Sequence, residues 1–299
     1  MTAKVILNPY ANRWQALEQR PELEAALKSA GIEYELVVSE ARRHIITLVE
    51  QAVKEGFSPI IAAGGDGTVG EAVNGVARAL SEKADWLPIG VMPLGTANDF
   101  VNNLGLPKGL EEAAQVIARG NTEYIDVGVV NDFYFVNNSA IGLEPTVTLI
   151  QEQLTWVKGV VRYLLATLLA IARKPEWDMR IEWADGRHEG LTTLVTAGNN
   201  PLTGGLFYMA PHANPRDGLL TVVYGSAPTR RRMLQLLPKT MKPDEGSYVE
   251  EPDVHEFHTT KVTIHTDPPT PLHTDGEIHY RAIQDITYSI IPGKLKLIC

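Results

Sequence analysis

Between Pro59 and Leu80 the chain runs through a fully apolar segment, a knot of glycines and a helical pattern: Pro59–Ala63, then Gly64-Gly65-Asp66-Gly67-Thr68-Val69-Gly70, then a helix expected over Glu71–Leu80. A strand without polar residues is buried on both faces, which demands a sheet covered by helices above and below. Glycines let the backbone approach a ligand, and a helix start offers unpaired N–H groups and the positive end of a dipole to an anion. Phosphate is the natural ligand. Residues 65–70 also fit the G-x-G-x-x-G pattern of dinucleotide folds. Against that reading, the turn follows the third strand and the next strand ends Val91-Met92-Pro93, with no acid to hold a ribose. Asp66 would moreover face a pyrophosphate as a bare carboxylate. A divalent metal between Asp66 and phosphate reconciles the charges; a plain strand–helix turn capped by Asp66 is the alternative.

The surrounding pattern alternates. Strands are expected at Lys4–Leu7, Glu35–Val38, Pro59–Ala63 and Ile89–Met92, with helices over about Trp14–Ala30 and Ala41–Glu55. This predicts a doubly wound, mainly parallel α/β domain over residues 1–126. After Asp126 come short β runs at Phe133–Ala140, Met179–Trp183, Leu191–Ala197, Leu219–Tyr224, Lys261–Thr266, Glu277–Arg281 and Ile286–Ile291. Asn131-Asp132, Asp185-Gly186, Asp217-Gly218 and Asp275-Gly276 separate them as turns. Helical segments are expected over about Pro145–Arg173 and Thr229–Leu237. Residues 127–299 therefore read as a mainly antiparallel β domain with helical insertions, its last strand free to return to the first domain.

Composition removes several function classes. A net charge of −9 argues against nucleic acid as the main partner, because a general phosphate-backbone binder carries a basic face. The single cysteine, Cys299, excludes a disulfide framework within one chain. The N-terminus has no apolar secretory core, and the most apolar stretch, Val160–Ala172, is interrupted by Arg162 and Thr167 and is too short to span a bilayer. A cytoplasmic protein is expected, with peripheral contact to the inner face of a membrane left open. A homodimer is compatible with all of this.

A second cluster, Pro93-Leu94-Gly95-Thr96-Ala97-Asn98-Asp99-Phe100, follows the fourth strand. Turns after adjacent parallel strands meet at the carboxyl edge of the sheet, where ligands bind. Thr96 brings a hydroxyl there, Asn98 an amide and Asp99 a carboxylate. The alternative is a capping box for a short helix running to Leu104.

Together, Gly64-Gly65-Asp66-Gly67-Thr68 and Pro93–Phe100 resemble the diacylglycerol kinase catalytic family, in particular its bacterial lipid kinase branch. Asn8-Pro9, Ile125-Asp126-Val127-Gly128, Gly204-Gly205 with Ala210-Pro211, Asp217-Gly218-Leu219-Leu220 and Asp275-Gly276-Glu277 extend the resemblance over nearly the whole chain. It implies ATP- and Mg²⁺-dependent phosphorylation of a lipid hydroxyl, with diacylglycerol or phosphatidylglycerol as the leading substrates. Carried over by position, nucleotide contacts fall on Ser39, on Gly65, Asp66, Gly67, Thr68, Val69, Gly70 and Glu71, and on Thr96. The proton acceptor falls on Glu277. Asp66, Asp99 and Asp126 fall in the acidic, Mg²⁺-linked network of the cleft. A structural Mg²⁺ falls on the Asp217 side chain and the carbonyls of Leu220 and Val222. Two positions depart from the pattern: Gly70 stands where the family has asparagine, and Gly142-Leu143-Glu144-Pro145 replaces a Gly-Phe-Asp-Ala type of turn.

The residue types suit phosphoryl transfer, which asks mainly for positioning and charge neutralisation. Neither loop holds a lysine and no G-x-x-x-x-G-K-[ST] motif occurs, so the metal carries more of the charge. By spacing alone Glu277 is a strand residue after an Asp-Gly turn, and Asp217 opens another such turn; the resemblance is what gives them roles. The segment holding Leu154, Trp156, Val157, Val160, Val161, Leu164, Leu165, Leu168, Leu169 and Ile171, flanked by Lys158, Arg162, Arg173 and Lys174, reads as a helix that docks lipid or, alternatively, covers the β domain. Arg230-Arg231-Arg232 reads as a solvated face. His255, His258, His265, His273 and His279 read as ordinary strand residues. The rival functions are a kinase of a soluble metabolite such as NAD, which shares the GGDGT turn, and a lipid- or nucleotide-binding module without turnover.

Overall fold

A computed structural model describes residues 2–12, 14–80, 82–154, 157, 159–173, 175–227 and 229–299. The expected Trp156, Lys158 and Lys174 of the apolar segment lie outside the described residues. The chain divides into two compact units. One comprises residues 1–127, 134–136 and 291–299, and the other 128–133 and 137–290.

The first unit contains β1 (Ala3–Leu7), α1 (Arg20–Ser29), β2 (Tyr34–Val38), α2 (His44–Lys54), β3 (Ile60–Gly64), α3 (Asp66–Ala79), β4 (Ile89–Pro93), α4 (Asp99–Asn103) and α5 (Leu110–Arg119). From β4 the strand order runs β4-β3-β1-β2, and every neighbouring pair is parallel. Successive residues of these strands feed opposite cores. Ile6, Ile60, Ala62, Ile89 and Val91 pack with Ile45 and Val49 of α2 and Val69, Val73 and Val76 of α3. Val5, Leu7, Ile61, Ala63 and Met92 pack with Leu23 and Leu27 of α1 and Ala113, Ala114 and Ile117 of α5. This is the doubly wound arrangement that the unbroken apolar strands require.

Two helix starts differ from expectation. α1 begins at Arg20, not near Trp14, because Pro21 suits a first helical turn while Asn12 and Trp14 adopt positive φ ahead of it. α3 begins at Asp66, not Glu71, so most of the glycine knot is itself the first turn of the helix. α5 was not expected, although its apolar spacing (Ala113, Ala114, Val116 and Ile117 buried), its acids in the first turn and Gly120 behind it are helix signals.

The chain passes from the first unit to the second within β5 (Thr122–Val130) and back through β6 (Phe133–Phe135); the second unit then continues through β7 (Asn138–Gly142), α6 (Leu143–Gln153), α7 (Gly159–Arg173), β8 (Trp177–Trp183), β9 (Gly186–Thr192), β10 (Leu194–Gly198), β11 (Leu202–Thr203), β12 (Phe207–Tyr208), β13 (Leu220–Gly225), α8 (Arg230–Leu236), β14 (Val254–Thr259), β15 (Lys261–Thr274) and β16 (Glu277–Ile298). Its strand order, β14-β13-β10-β7-β15-β16, is antiparallel throughout. The single helix expected over Pro145–Arg173 is two helices, the first ending at Gln153. The short runs expected near the C-terminus merge into two long strands. β15 continues past Thr266 because Pro268, Pro269 and Pro271 fall where its register against β16 slips, between His265 and Leu272. β16 starts in the second unit and its residues from Ile291 belong to the first, where Leu297 pairs with Ile89 of β4. Among the described residues no helix is long and apolar enough to cross a membrane.

Candidate functional site

In the first unit the parallel strands end together, and the expected nucleotide residues cluster at those ends. Ser39 follows β2, Asn8 follows β1, Gly65 follows β3 and Leu94 follows β4. The two glycine-containing turns lie backbone against backbone. A Cβ on Gly95 would sit 2.4 Å from the Gly65 Cα, and the Leu94 N–H donates to the Gly64 carbonyl at 2.9 Å. Only glycine permits that approach.

Side chains then lock the pair of turns. The Asp66 carboxylate accepts the Phe100 N–H at 2.8 Å, so an acid from the first turn holds the start of α4 in the second. Asn98, in the left-handed region at φ 51°, is the cap residue of α4. Its side chain does not bond that helix: Oδ1 accepts from the Gly95 N–H at 3.0 Å and Nδ2 donates to the Gly95 carbonyl at 3.1 Å. Thr68 is buried and accepts from Asn8 Nδ2 at 2.9 Å, while exposed Thr96 donates to Asn12 Oδ1 at 3.3 Å. Asn8, noted in sequence only through the Asn8-Pro9 resemblance and given no role, and Asn12, which sequence reasoning passed over, bond the two threonines.

What this arrangement can bind follows from its donors. The Thr68 and Val69 N–H groups turn back to the Gly65 carbonyl, at 2.9 and 3.2 Å, and residues 65–67 stand at the start of a 14-residue helix, the positive end of its dipole. Val69 packs into the core, and the Gly70 carbonyl accepts from Asn74 Nδ2 at 2.7 Å, so these two residues shape the turn. Glu71 accepts the Arg43 N–H at 3.2 Å. Ser39 is 1% exposed, and its Oγ has no partner among the described residues; a buried hydroxyl of that kind is one a ligand can satisfy.

The three expected acids are not equivalent. Asp66 and Asp99 belong to the apposed turns, whereas buried Asp126 lies on β5 and accepts the Gly293 N–H of the returning strand at 2.7 Å. The described residues include no group of three His, Cys, Asp or Glu side chains able to hold a metal. A Mg²⁺ at the turns would therefore fit with only one or two carboxylates, completed by water and phosphate oxygens, which is how Mg²⁺ is commonly held.

In the second unit Glu277 is the first residue of β16, half-buried, opposite Thr274 across the Asp275-Gly276 turn. Both turn residues have positive φ, 48° and 82°, the signature of a two-residue hairpin whose twist matches its strands. Asp275 is buried, and its Oδ1 accepts the N–H groups of Asn137 and Asn138 at 2.8 and 3.2 Å. Asp217 is exposed and accepts the Leu219 N–H at 2.9 Å; Leu220 and Val222 lie in β13, a strand between β10 and β14. That donor set offers one carboxylate plus carbonyls of a sheet strand.

His273 is a strand residue, in β15, but one with a buried partner. It is buried with its Nε2 3.1 Å from Glu144 Oε1, and Asn138 and Thr196 also donate to that carboxylate at 2.9 and 3.0 Å. Burial alone would push the Glu144 carboxyl up. The attraction of His273, with the hydrogen bonds from His273, Asn138 and Thr196, outweighs it and holds the group below its ordinary value of 4.5. A depressed carboxyl contributes stability above the unfolded-state value, and that contribution is lost as pH falls through the folded value. Thermal melts from about pH 7 to about pH 3 should therefore show a steeper loss of Tm in the wild type than in Glu144→Gln, with the divergence below the ordinary carboxyl range. Parallel curves would remove Glu144 as a source of acid sensitivity.

Beside this pair the second unit contains an apolar cavity of about 80 Å³, walled by Leu143, Val147, Phe207, Met209, Met233 and Leu236 among others.

Comparison with known proteins agrees with these features. Residues 2–130 match the diacylglycerol kinase catalytic domain, and residues 138–299, more than half the chain, match the YegS C-terminal NAD kinase beta sandwich-like domain. A diacylglycerol kinase of Staphylococcus saprophyticus is 26% identical over 276 residues, covering 92% of this chain and 88% of the relative. One from Mycobacterium tuberculosis is 28% identical over 303 residues, covering 98% and 93%. The crystal structure of a diacylglycerol kinase from Bacillus anthracis shares the fold, with a TM-score of 0.73 at 20% identity, over 99% of this chain and 96% of that one. Yeast NADH kinase is a more distant structural neighbour, with a TM-score of 0.50 at 12% identity, over 100% of this chain and 83% of that one. With glycine turns at the strand ends of one unit, a Glu277 hairpin in the other and both matches in tandem, the chain belongs to the diacylglycerol kinase family of bacterial lipid kinases.

Proposed function

We propose that this chain transfers the γ-phosphate of ATP to a free hydroxyl of a glycerolipid, diacylglycerol or phosphatidylglycerol, at the cytoplasmic surface of a membrane and with Mg²⁺. The nucleotide is assigned to Ser39, residues 65–71 and Thr96. The N–H groups of residues 65–67 hold phosphate oxygens, and Asp66 and Asp99 are the residues that would hold the Mg²⁺, with Asp126 a supporting acid fixed at Gly293. Mg²⁺, when bound, offsets phosphate charge that no lysine of either turn neutralises. Glu277 accepts the proton of the acceptor hydroxyl as its oxygen attacks the γ-phosphorus and the bond to the ADP oxygen breaks. The second Mg²⁺, at Asp217, Leu220 and Val222, is assigned a structural role.

The observation that carries the lipid assignment is the apolar cavity of the second unit. At about 80 Å³ it accommodates the end of a chain, a few methylene groups, and although Glu144, Thr193 and Tyr248 are among its lining residues, the surface it exposes is almost wholly apolar, which suits an acyl chain better than a soluble acceptor such as NAD. α7 supports the membrane part of the reading. Val161, Leu168 and Leu169 are exposed on it, and Arg173, Arg230 and Arg231 stand exposed at its C-terminal end and at the start of α8. Apolar side chains flanked by cations suit an interface with anionic lipid. The test is radiolabelled ATP with Mg²⁺ and anionic vesicles containing diacylglycerol, alongside NAD. Label is expected in the lipid; label in NAD alone would overturn the proposal.

A further inference from the structure

The Glu144 carboxylate is carried by the first turn of α6, yet its donors come from three adjacent strands: Asn138 of β7, Thr196 of β10 and His273 of β15. Its neighbours Leu143 and Val147 wall the apolar cavity. A charge at such a wall is costly, and a leucine there would pack better. What the carboxylate does that a leucine cannot is fix three strands and a helix in one mutual register.

Two of those strands lead directly to the Glu277 hairpin. Asn138 and Asp275 exchange backbone and side-chain hydrogen bonds: the Asp275 N–H donates to the Asn138 carbonyl at 2.9 Å, and Asp275 Oδ1 accepts the Asn138 N–H. His273 stands two residues before Asp275 on the strand that enters the turn. An unbroken line of hydrogen bonds thus runs from the cavity wall through Glu144, Asn138 and Asp275 to the turn that Glu277 leaves.

We propose that Glu144 is a positioning residue for the phosphoryl transfer: with His273 it holds the Asp275-Gly276-Glu277 hairpin where the Glu277 carboxylate meets the acceptor hydroxyl. This rests on the reading of Glu277 as the proton acceptor. Glu144 itself contacts no reacting atom, since its carboxylate is already engaged by Asn138, Thr196 and His273.

The test is steady-state kinetics of the full chain carrying Glu144→Gln, His273→Leu, His273→Gln, Glu277→Gln and the double change Glu144→Gln with Glu277→Gln. Glu144→Gln and His273→Leu should lower kcat by about 10- to 100-fold while KM for ATP and lipid stays within about twofold, because a small misplacement of a reacting group is felt in the transition state. His273→Gln, whose amide can still donate to Glu144, should retain kcat within about threefold. In the Glu277→Gln background, Glu144→Gln should cause no further loss, since it acts through a group already disabled. Losses that multiply in the double variant would reduce Glu144 to a structural role and overturn the proposal. Thr196→Val, which removes one donor only, is the milder variant should Glu144→Gln fold poorly: an unchanged kcat there and in His273→Leu also overturns it. Wild-type activity in Glu277→Gln would instead refute the reading of the base, a separable result.

Discussion

Replacing Glu277 by glutamine should lower kcat by about 10²- to 10⁴-fold with little change in KM for ATP, the usual contribution of a positioned general base. Glutamine keeps the size and strand position of the side chain and removes only its capacity to take a proton. The hairpin that carries it is set by Asp275 and Gly276, neither of which changes, so the variant should melt near the wild type. Raising pH supplies more ionised acceptor and should narrow the difference between the two proteins. Equal turnover would mean that the proton leaves by another route, and Glu277 would then be an ordinary strand residue after an Asp-Gly turn.

The second large effect is expected at Gly95. In Gly95→Ala the new Cβ would lie 2.4 Å from the Gly65 Cα and 2.4 Å from Asn98 Oδ1, so one turn must move away from the other. Backbone cannot yield as a flexible side chain can. The 65–67 donors and the Asp66–Phe100 bond depend on that apposition, and ATP affinity should fall by about 100-fold or more, on the order of 3 kcal/mol. Gly105→Ala is the control: that glycine has positive φ, at 67°, unlike Gly95, but open space around it, so stability should fall by about 1 kcal/mol while nucleotide binding persists. Titration calorimetry with a non-hydrolysable ATP analogue distinguishes them. Undiminished binding in Gly95→Ala would separate the turns from the nucleotide.

Much of the first unit was legible because its signals are local. An apolar run buried on both faces reads as a parallel strand wherever it occurs, and glycines between such a run and a helix read as an anion-binding turn. Even there, the start of α3 was misplaced, because glycine's poor helix propensity hides that Asp66, Gly67 and Thr68 already belong to the first turn. The second unit was less legible. Its short β runs were visible, but β15 was cut short by prolines that the tertiary ladder accommodates with register shifts, and β16 was read as two separate runs.

The sequence by itself therefore determined the parallel layer, the two glycine turns at neighbouring strand ends and the hairpin before Glu277, all of which depend on residues close together in the chain. Only tertiary structure decided that Asp66 reaches Phe100, that Gly65 and Gly95 meet, and that Glu144 lies buried against His273, 129 positions away. Such pairings are fixed by which strands become neighbours, and a buried carboxylate or imidazole gives no periodic signal that would announce its partner.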